Sequence, residues 1–180
     1  MTMIDYCYYA SPIGKLLILA ENDRLTHLDF ELEQIAPNPN WHYQPDLPIF
    51  QQICTALERY FQGQPETFAE IPLAPKGTLF QQQIWQALRQ IPYGKDLSYG
   101  ELAQQINNPK AVRAVGGAVG RNPISIIIPC HRVLGKDRQL TGFGGGLPTK
   151  RYLLDLEQIP YVNKGVEYVK QKLLKKYTAL

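Results

Sequence analysis

The sequence predicts a mixed α/β (α+β) protein, in which a small antiparallel sheet with one helix precedes a helical domain that contains a helix-turn-helix. The first third of the chain alternates short β-rich runs with turn residues, whereas the second half repeats apolar side chains at helical spacing. A stretch at 71–77 with two prolines and a glycine separates the two patterns. We therefore divide the chain into an N-terminal sheet domain (1–75), a second domain (76–160) and a basic tail (161–180).

The N-terminal part is predicted to form an antiparallel meander. Its strands are expected at Tyr6–Ala10, Lys15–Ala20 and Leu25–Glu31. Residues 37–48 contain four prolines and are predicted to form a loop. Apolar side chains at helical spacing then predict a helix over Ile49–Phe61, which ends before Gly63.

The second half begins with three predicted helices, two of which start with a capping box. Thr78 is followed three residues later by Gln81, and Ser98 by Glu101, a pattern in which two side chains satisfy the first backbone amides of a helix. The first of these helices ends at 92–94, the second at about Ile106. The third is expected over about 110–120. Two helices joined by a short turn indicate a helix-turn-helix, a module whose second helix enters a DNA groove.

The remaining segments carry weaker signals. The apolar run Ser125–Ile128 predicts a short buried strand, and Leu147–Glu157 a further helix. Five lysines in the tail at 161–180 are compatible with a basic helix, either a contact with the DNA backbone or a solvated surface helix.

Composition limits the classes of function. A net charge of +3 and a pI near 8.7 are compatible with nucleic acid but too weak to predict it. No apolar run approaches the roughly 18 residues that a bilayer requires, and no signal-peptide pattern begins the chain. Cys7, Cys54 and Cys130 fit neither a disulfide framework nor a zinc site. We expect a cytoplasmic protein without membrane contact (intracellular, and nuclear if the organism is eukaryotic), with reduced thiols and no metal.

Cys130 stands beside an imidazole in the run Pro129-Cys130-His131-Arg132. A free thiol has a pKa of about 8.5, so a nucleophilic cysteine needs a neighbour that favours the thiolate. Adjacent side chains usually point apart, so we expect His131 to act through a bridging water. Together with a helix N-terminus it would lower the thiol pKa. The alternative is a small buried core residue, and the four residues alone leave both readings open.

The third predicted helix contains three glycines in its last five residues. Glycine inside a helix costs roughly 0.5–1 kcal/mol relative to alanine, so the missing side chains indicate that something approaches the backbone closely. Either a nucleic acid or a neighbouring helix would explain this.

Five segments in order resemble the O6-alkylguanine-DNA alkyltransferases (methylated-DNA–protein-cysteine methyltransferases). They are Ser98–Ala103, Asn108–Ala118, Arg121–Pro123, Ile127–Val133 and Leu153–Glu157. The resemblance is strong from about Gly77 to Glu157. The N-terminal part, with Ser11–Leu16, is similar to the family's other, ribonuclease H-like domain but less specific.

The resemblance implies a role for each matching residue. Cys130 would accept the alkyl group, His131 would deprotonate it through water, and Glu157 would orient His131. Asn122 would brace the turn before the cysteine strand, and Arg132 is expected to be structural.

The family binds DNA through the minor groove and rotates the damaged nucleotide out of the stack. Tyr99 would assist this rotation and Arg113 would fill the gap. The remaining substrate- and DNA-binding residues implied are Ala111, Ala114, Gly116, Gly117, Val133, Phe143 and Gly144. The ordinary alternatives are a solvated charge for Arg113 and a buried aromatic for Tyr99.

The loop 141–147 departs from the family, because relatives commonly have a tyrosine and a small residue where Phe143 and Gly144 stand. The resemblance implies stoichiometric transfer of an alkyl group from O6-alkylguanine, and from O4-alkylthymine, in double-stranded DNA to Cys130. No cofactor is required and a monomer suffices. The alternative function is a non-enzymatic protein that binds alkylguanine in DNA and signals to other repair factors.

Overall fold

The structure, a computed structural model, describes residues 2–31, 36–143 and 146–162. It confirms the predicted mixed α/β class, because a sheet of four strands precedes a helical part. Most of the predicted basic tail (163–180) and Gly144 of the predicted pocket loop lie outside the described residues. No helix in the described part of the chain is long and apolar enough to cross a membrane.

The N-terminal sheet has the strand order β3-β2-β1-β4. Its strands are β1 (Ile4–Ser11), β2 (Gly14–Glu21), β3 (Arg24–Phe30) and β4 (His42–Tyr43). The first three form the predicted antiparallel meander. The prediction of a loop over 37–48 was wrong at β4, whose two residues pair in parallel with β1. A strand this short leaves no periodic pattern to read.

Helix α1 (Pro48–Phe61) covers one face of the sheet. It starts with a proline in its first turn, where no intrahelical partner exists for the missing amide. Its apolar residues Phe50, Ile53 and Leu57 are buried, and the ring of Phe61 stacks on Tyr9 of β1. The prediction of this helix is confirmed.

In the described residues of the second half there are four α-helices and a small parallel sheet. They are α2 (Leu79–Arg89), β5 (Leu97–Ser98), α3 (Tyr99–Gln105), α4 (Val112–Gly120), β6 (Val133–Leu134) and α5 (Leu147–Leu156). Both predicted capping boxes are present, at Thr78 and at Ser98. The indole nitrogen of Trp85 on α2 donates to the carbonyl of Ala118 on α4 over 2.9 Å. This contact fixes the second helix of the α3–α4 pair against the core.

The prediction of a strand over Ser125–Ile128 was wrong. Ile124 makes a single bridge to Leu28 of β3, and the chain then turns, with Ile128 N donating to Ile124 O over 3.0 Å. Ile126 has φ +72°, which is unfavourable for a β-branched residue, yet its side chain is buried. A continuous apolar run indicates burial, and burial here belongs to a turn rather than to a strand.

This turn also joins the two halves of the molecule. Leu28 N donates to Pro123 O over 3.0 Å, and Ser125 N donates to Leu28 O over 2.7 Å. The edge of the N-terminal sheet therefore lies against the segment that leads to Cys130.

Candidate active site around Cys130

Cys130 lies at the wall of a small cavity between the two halves of the molecule. It is the first residue of a 3-10 helix (Cys130–Arg132), and only 7% of it is exposed. The cavity has a volume of about 160 Å³. Four predicted site residues line it with Cys130, namely Tyr99, Gly116, Asn122 and Phe143. Its wall is completed by Asp29, Ser125 and the backbone of α4 and of the 142–143 loop.

The Cys130 thiol was expected to have a lowered pKa, but its pKa is raised in the structure. Burial raises this pKa to about 11, against the opposing effects of a hydrogen bond from Asn122 and the charge of Lys150. The 3-10 helix at Cys130 has only three residues, so the contribution expected of a helix N-terminus is small. Most of the thiol is therefore protonated at neutral pH, and a base must remove the proton.

His131 follows Cys130 in the 3-10 helix, and its side chain is completely buried. Its Nε2 is hydrogen-bonded to Oε2 of Glu157. Burial lowers the pKa of His131, although the hydrogen bond and charge of Glu157 act in the opposite direction. The ring is therefore neutral at physiological pH and Nε2 carries the proton, because a carboxylate accepts it there.

The other ring nitrogen of His131 is available as a proton acceptor. In the neutral ring with a proton on Nε2, Nδ1 carries a lone pair. Within the described residues, buried Nδ1 has no hydrogen-bond partner. His131 and Cys130 thus make no direct hydrogen bond through this atom, and the bridging water remains a prediction.

Glu157 is the centre of a buried set of polar groups, which we call the Glu157 cluster: Tyr60, Gly94, His131, Arg132 and Glu157. Tyr60 Oη donates to Glu157 Oε2 over 2.6 Å, and Arg132 Nε and Gly94 N donate to Oε1 over 2.7 and 3.1 Å. Burial raises the pKa of Glu157, but the hydrogen bond of His131 and the charge of Arg132 outweigh it and bring the pKa to about 2. Glu157 is therefore a permanent anion at neutral pH.

Asn122 braces the turn that presents Cys130. Its Nδ2 donates to Ile128 O over 2.7 Å, and its Oδ1 accepts from Ile124 N over 3.0 Å. Both ends of the turn are thus tied to one side chain. Asn122 links α4 to a turn rather than to the strand that the sequence predicted.

A second set of hydrogen-bonded polar groups connects α5 to Tyr99 at the cavity wall. Lys150 of α5 is 1% exposed, and its Nζ donates to Val133 O over 2.7 Å and to Thr141 Oγ1 over 3.2 Å. Thr141 in turn is hydrogen-bonded to Tyr99 Oη over 2.9 Å. Burial lowers the pKa of Lys150 to about 8, while Cys130 opposes the shift.

The predicted DNA-contacting residues of α4 are distributed between surface and cavity. Arg113, Ala114 and Gly117 are exposed, whereas Ala111 is half-buried just before the helix. Gly116 faces the cavity, and a Cβ built on it would lie 3.8 Å from the ring of Tyr99. We call Arg113, Ala114 and Gly117 the α4 surface.

Val133 is a predicted site residue that does not line the cavity. The side chain of Val133 is buried in β6, and its carbonyl is held by Lys150. Gly144 lies outside the described residues. Within the described ranges, no group of three or more His, Cys, Asp or Glu side chains is placed to hold a metal ion.

The sequence analysis missed Tyr60, Lys150, Thr141 and Asp29. A signal existed for Lys150, because it stands three and four residues before Leu153 and Leu154 on the apolar face of α5. Tyr60 carries no such signal, since an aromatic residue near the end of an amphipathic helix is ordinary core. Asp29 belongs to a strand that is distant in sequence from Cys130.

Comparison with known proteins gives matches along nearly the whole chain. Two family descriptions match it: 6-O-methylguanine DNA methyltransferase, ribonuclease-like domain, over residues 4–75, and its DNA binding domain over residues 79–159. A methylated-DNA–protein-cysteine methyltransferase of Haemophilus influenzae is 66% identical over 177 residues, covering 98% of this chain and 99% of the relative.

Solved structures show the same similarity. The O6-methylguanine methyltransferase of Mycobacterium tuberculosis superposes with a TM-score of 0.78 at 43% identity, covering 92% of this chain and 99% of that one. A Mycobacterium tuberculosis OGT in complex with DNA superposes with a TM-score of 0.77 at 44% identity, covering 86% and 92%.

Proposed function

The chain belongs to the 6-O-methylguanine DNA methyltransferase family, and we propose that Cys130 is the sulfur that takes the alkyl group from O6-alkylguanine in DNA. The protein functions in DNA repair by alkyl transfer, because its curated relatives are named methylated-DNA–protein-cysteine methyltransferases. The observation that carries the assignment to Cys130 is the neutral His131, whose Nε2 is held by Glu157 and whose Nδ1 is left to accept a proton.

The proposed step balances without a cofactor. His131 Nδ1 takes the thiol proton through a water, and the thiolate attacks the alkyl carbon. The new S–C bond forms as the C–O bond breaks, and the electron pair of that bond goes to guanine. The proton held by His131 returns through solvent to the restored guanine, which stays in the DNA. The thioether has no proton to lose, so each molecule acts once.

The Glu157 cluster supports this step by fixing the base. Glu157 holds the Nε2–H tautomer of His131 and balances the imidazolium that forms when Nδ1 is protonated. Arg132 holds the carboxylate from the other oxygen and is itself held by Ile91 O over 2.7 Å. Asn122 keeps the turn before Cys130 in place and stabilises the thiolate.

The DNA side of the proposal rests on the α3–α4 pair. The small residues Ala114 and Gly117 are exposed and allow a close approach of the backbone of α4, which suits the minor groove of double-stranded DNA. Arg113 would occupy the space left by a flipped nucleotide, and Tyr99 at the cavity wall would contact it. Ala111, Gly116 and Phe143 would line the path of the base. Val133 and Gly144 remain predictions from the family.

The test is a mass measurement on the intact protein. The full chain is mixed with a duplex oligonucleotide that contains one O6-methylguanine, and the protein and its peptides are weighed. We expect a gain of one methyl group on the peptide that contains Cys130. Cys130→Ala should abolish the gain and retain most DNA binding, because it removes only the sulfur of a buried side chain. Cys54→Ala is the matched control and should leave transfer unchanged; transfer by Cys130→Ala would disprove the assignment.

Further parts of the proposal follow from the substrate. We propose that the protein acts as a monomer, since one chain supplies the whole cavity. We propose that it works in the cytoplasm, the compartment that contains bacterial DNA, and that O4-alkylthymine is a second substrate. A non-enzymatic binder of alkylguanine is not favoured, because the similar curated proteins are named methyltransferases.

A further inference from the structure

Asp29 places a carboxylate in the wall of the cavity that contains Cys130. It belongs to β3 of the N-terminal sheet, and it reaches the cavity because the edge of β3 pairs with the segment that precedes Cys130. The N-terminal half therefore contributes a side chain to the reaction pocket as well as a supporting sheet.

The carboxylate of Asp29 is held in a defined position by one of its two oxygens. Oδ1 accepts hydrogen bonds from Phe30 N over 2.8 Å and from Ser125 Oγ over 3.1 Å. Within the described residues, Oδ2 has no hydrogen bond and Asp29 has no ion pair. A half-buried anion without a cationic partner projects its charge into its surroundings.

The charge of the cavity wall is set by this residue. Among the described residues that line the cavity, Asp29 is the one that carries a charged side chain. Lys150, whose charge lowers the pKa of Cys130, does not line the cavity, and its Nζ donates to Val133 O and Thr141 Oγ1. At the sulfur, the charge of Asp29 raises the pKa of Cys130 and the charge of Lys150 lowers it, with Lys150 the stronger of the two.

We propose that Asp29 is a specificity-determining residue that selects against O6 adducts with a negative charge and admits neutral ones. This inference rests on the proposed function. A pocket rejects an unwanted ligand by placing a like charge where that ligand must sit. Inside a cavity of about 160 Å³, an anionic adduct cannot move far from the wall or keep its full hydration.

The test compares two adducts of equal shape that differ in charge. Oligonucleotides with O6-carboxymethylguanine and O6-carbamoylmethylguanine are reacted with the full protein, and O6-methylguanine is the reference substrate. We expect the wild type to react more slowly with the carboxymethyl than with the carbamoylmethyl adduct. Asp29→Asn should reduce this difference roughly tenfold. The amide still accepts from Ser125 Oγ, so the fold of the turn is retained.

Two control variants separate charge from structure. Ser125→Ala removes the hydrogen bond to Oδ1 but keeps the charge, and Asp23→Asn removes a charge from the exposed β2–β3 turn. Both should leave the rate ratio at the wild-type value.

The outcomes distinguish this inference from the proposed function. An Asp29→Asn protein with an unchanged carboxymethyl/carbamoylmethyl ratio overturns the role of Asp29, and so does a wild type that repairs the methyl adduct but neither larger one. Failure of the wild type to accept a methyl group from O6-methylguanine overturns the proposed function itself.

Discussion

The Glu157 cluster and the α4 surface, which we propose to serve the same reaction, are built in opposite ways. In the Glu157 cluster, both carboxylate oxygens are occupied and the side chains of His131, Arg132 and Glu157 are nearly inaccessible to solvent. On the α4 surface, an arginine and two small residues are exposed to solvent. In the proposed function, the chemistry is thus fixed by the same contacts that hold the fold together, whereas recognition of DNA uses positions on which the fold depends little.

This difference determines what a mutation can reveal. Changes in the Glu157 cluster alter stability and reaction together, because an unpaired charge in the interior is costly. We expect changes on the α4 surface to alter DNA recognition while the protein remains folded. The predictions below use this contrast.

The largest effect is expected for Glu157→Ala. The change leaves the guanidinium of Arg132, which is 6% exposed, without its carboxylate and removes the acceptor of Tyr60. We expect the free energy of unfolding to fall by about 3–5 kcal/mol, measured by chemical denaturation. The control is Glu70→Ala at an exposed position, with an expected change within about 0.5 kcal/mol. A loss for Glu157→Ala as small as that of the control would contradict the account of the cluster.

The same carboxylate should make the protein sensitive to acid. Its pKa is about 2 in the folded protein and 4.5 ordinarily, so its contribution to stability is complete above pH 4.5 and is lost as the pH falls towards 2. The lost free energy is about 3 kcal/mol. Denaturation curves recorded between pH 6 and pH 2 check this, and Glu157→Gln should flatten the profile in that window. If stability falls with pH in the same way in the wild type and in Glu157→Gln, then groups other than Glu157 cause the acid sensitivity.

The sequence predicts more of the α3–α4 pair than of the Glu157 cluster. The α3–α4 pair was predicted, and so were the capping boxes at Ser98, which begins α3, and at Thr78, which begins α2, because helix signals are local. The Glu157 cluster joins Tyr60, Gly94 and Glu157, and the hydrogen bond between the first and the last spans 97 positions. No periodicity encodes such a contact.

The pKa of the Cys130 thiol shows the same limit. Neighbours in sequence indicated a lowered pKa, but burial, which depends on the whole fold, raises it to about 11. The turn at 125–128 was mistaken for a strand for a related reason. An apolar run specifies that a segment is buried, and it does not specify the backbone shape in which it is buried.

A smaller effect, confined to recognition, is expected for Arg113→Ala. Arg113 is exposed, so the free energy of unfolding should change by no more than about 0.5 kcal/mol. If Arg113 fills the gap left by the flipped nucleotide, repair of duplex DNA should slow roughly tenfold, which corresponds to about 1.4 kcal/mol. Repair of single strands should slow much less. Arg121→Ala, at the exposed end of α4, is the control for general electrostatic attraction and should slow both substrates alike. Equal slowing of both substrates by Arg113→Ala would remove its special role.

The smallest effect is expected for Gly117→Ala. Unlike a change in the Glu157 cluster, it should raise the free energy of unfolding while it weakens the binding of DNA. A Cβ at Gly117 has room, since the nearest atom, Nη1 of Arg121, would lie 3.9 Å away. The helix should therefore gain about 0.5–1 kcal/mol in the free energy of unfolding. The same methyl group would project from the α4 surface towards DNA, so the affinity for duplex DNA should decrease. Denaturation and a binding titration at fixed salt measure the two quantities on one protein. A variant that is more stable and binds DNA as well as the wild type would show that glycine at this position does not serve the approach of DNA.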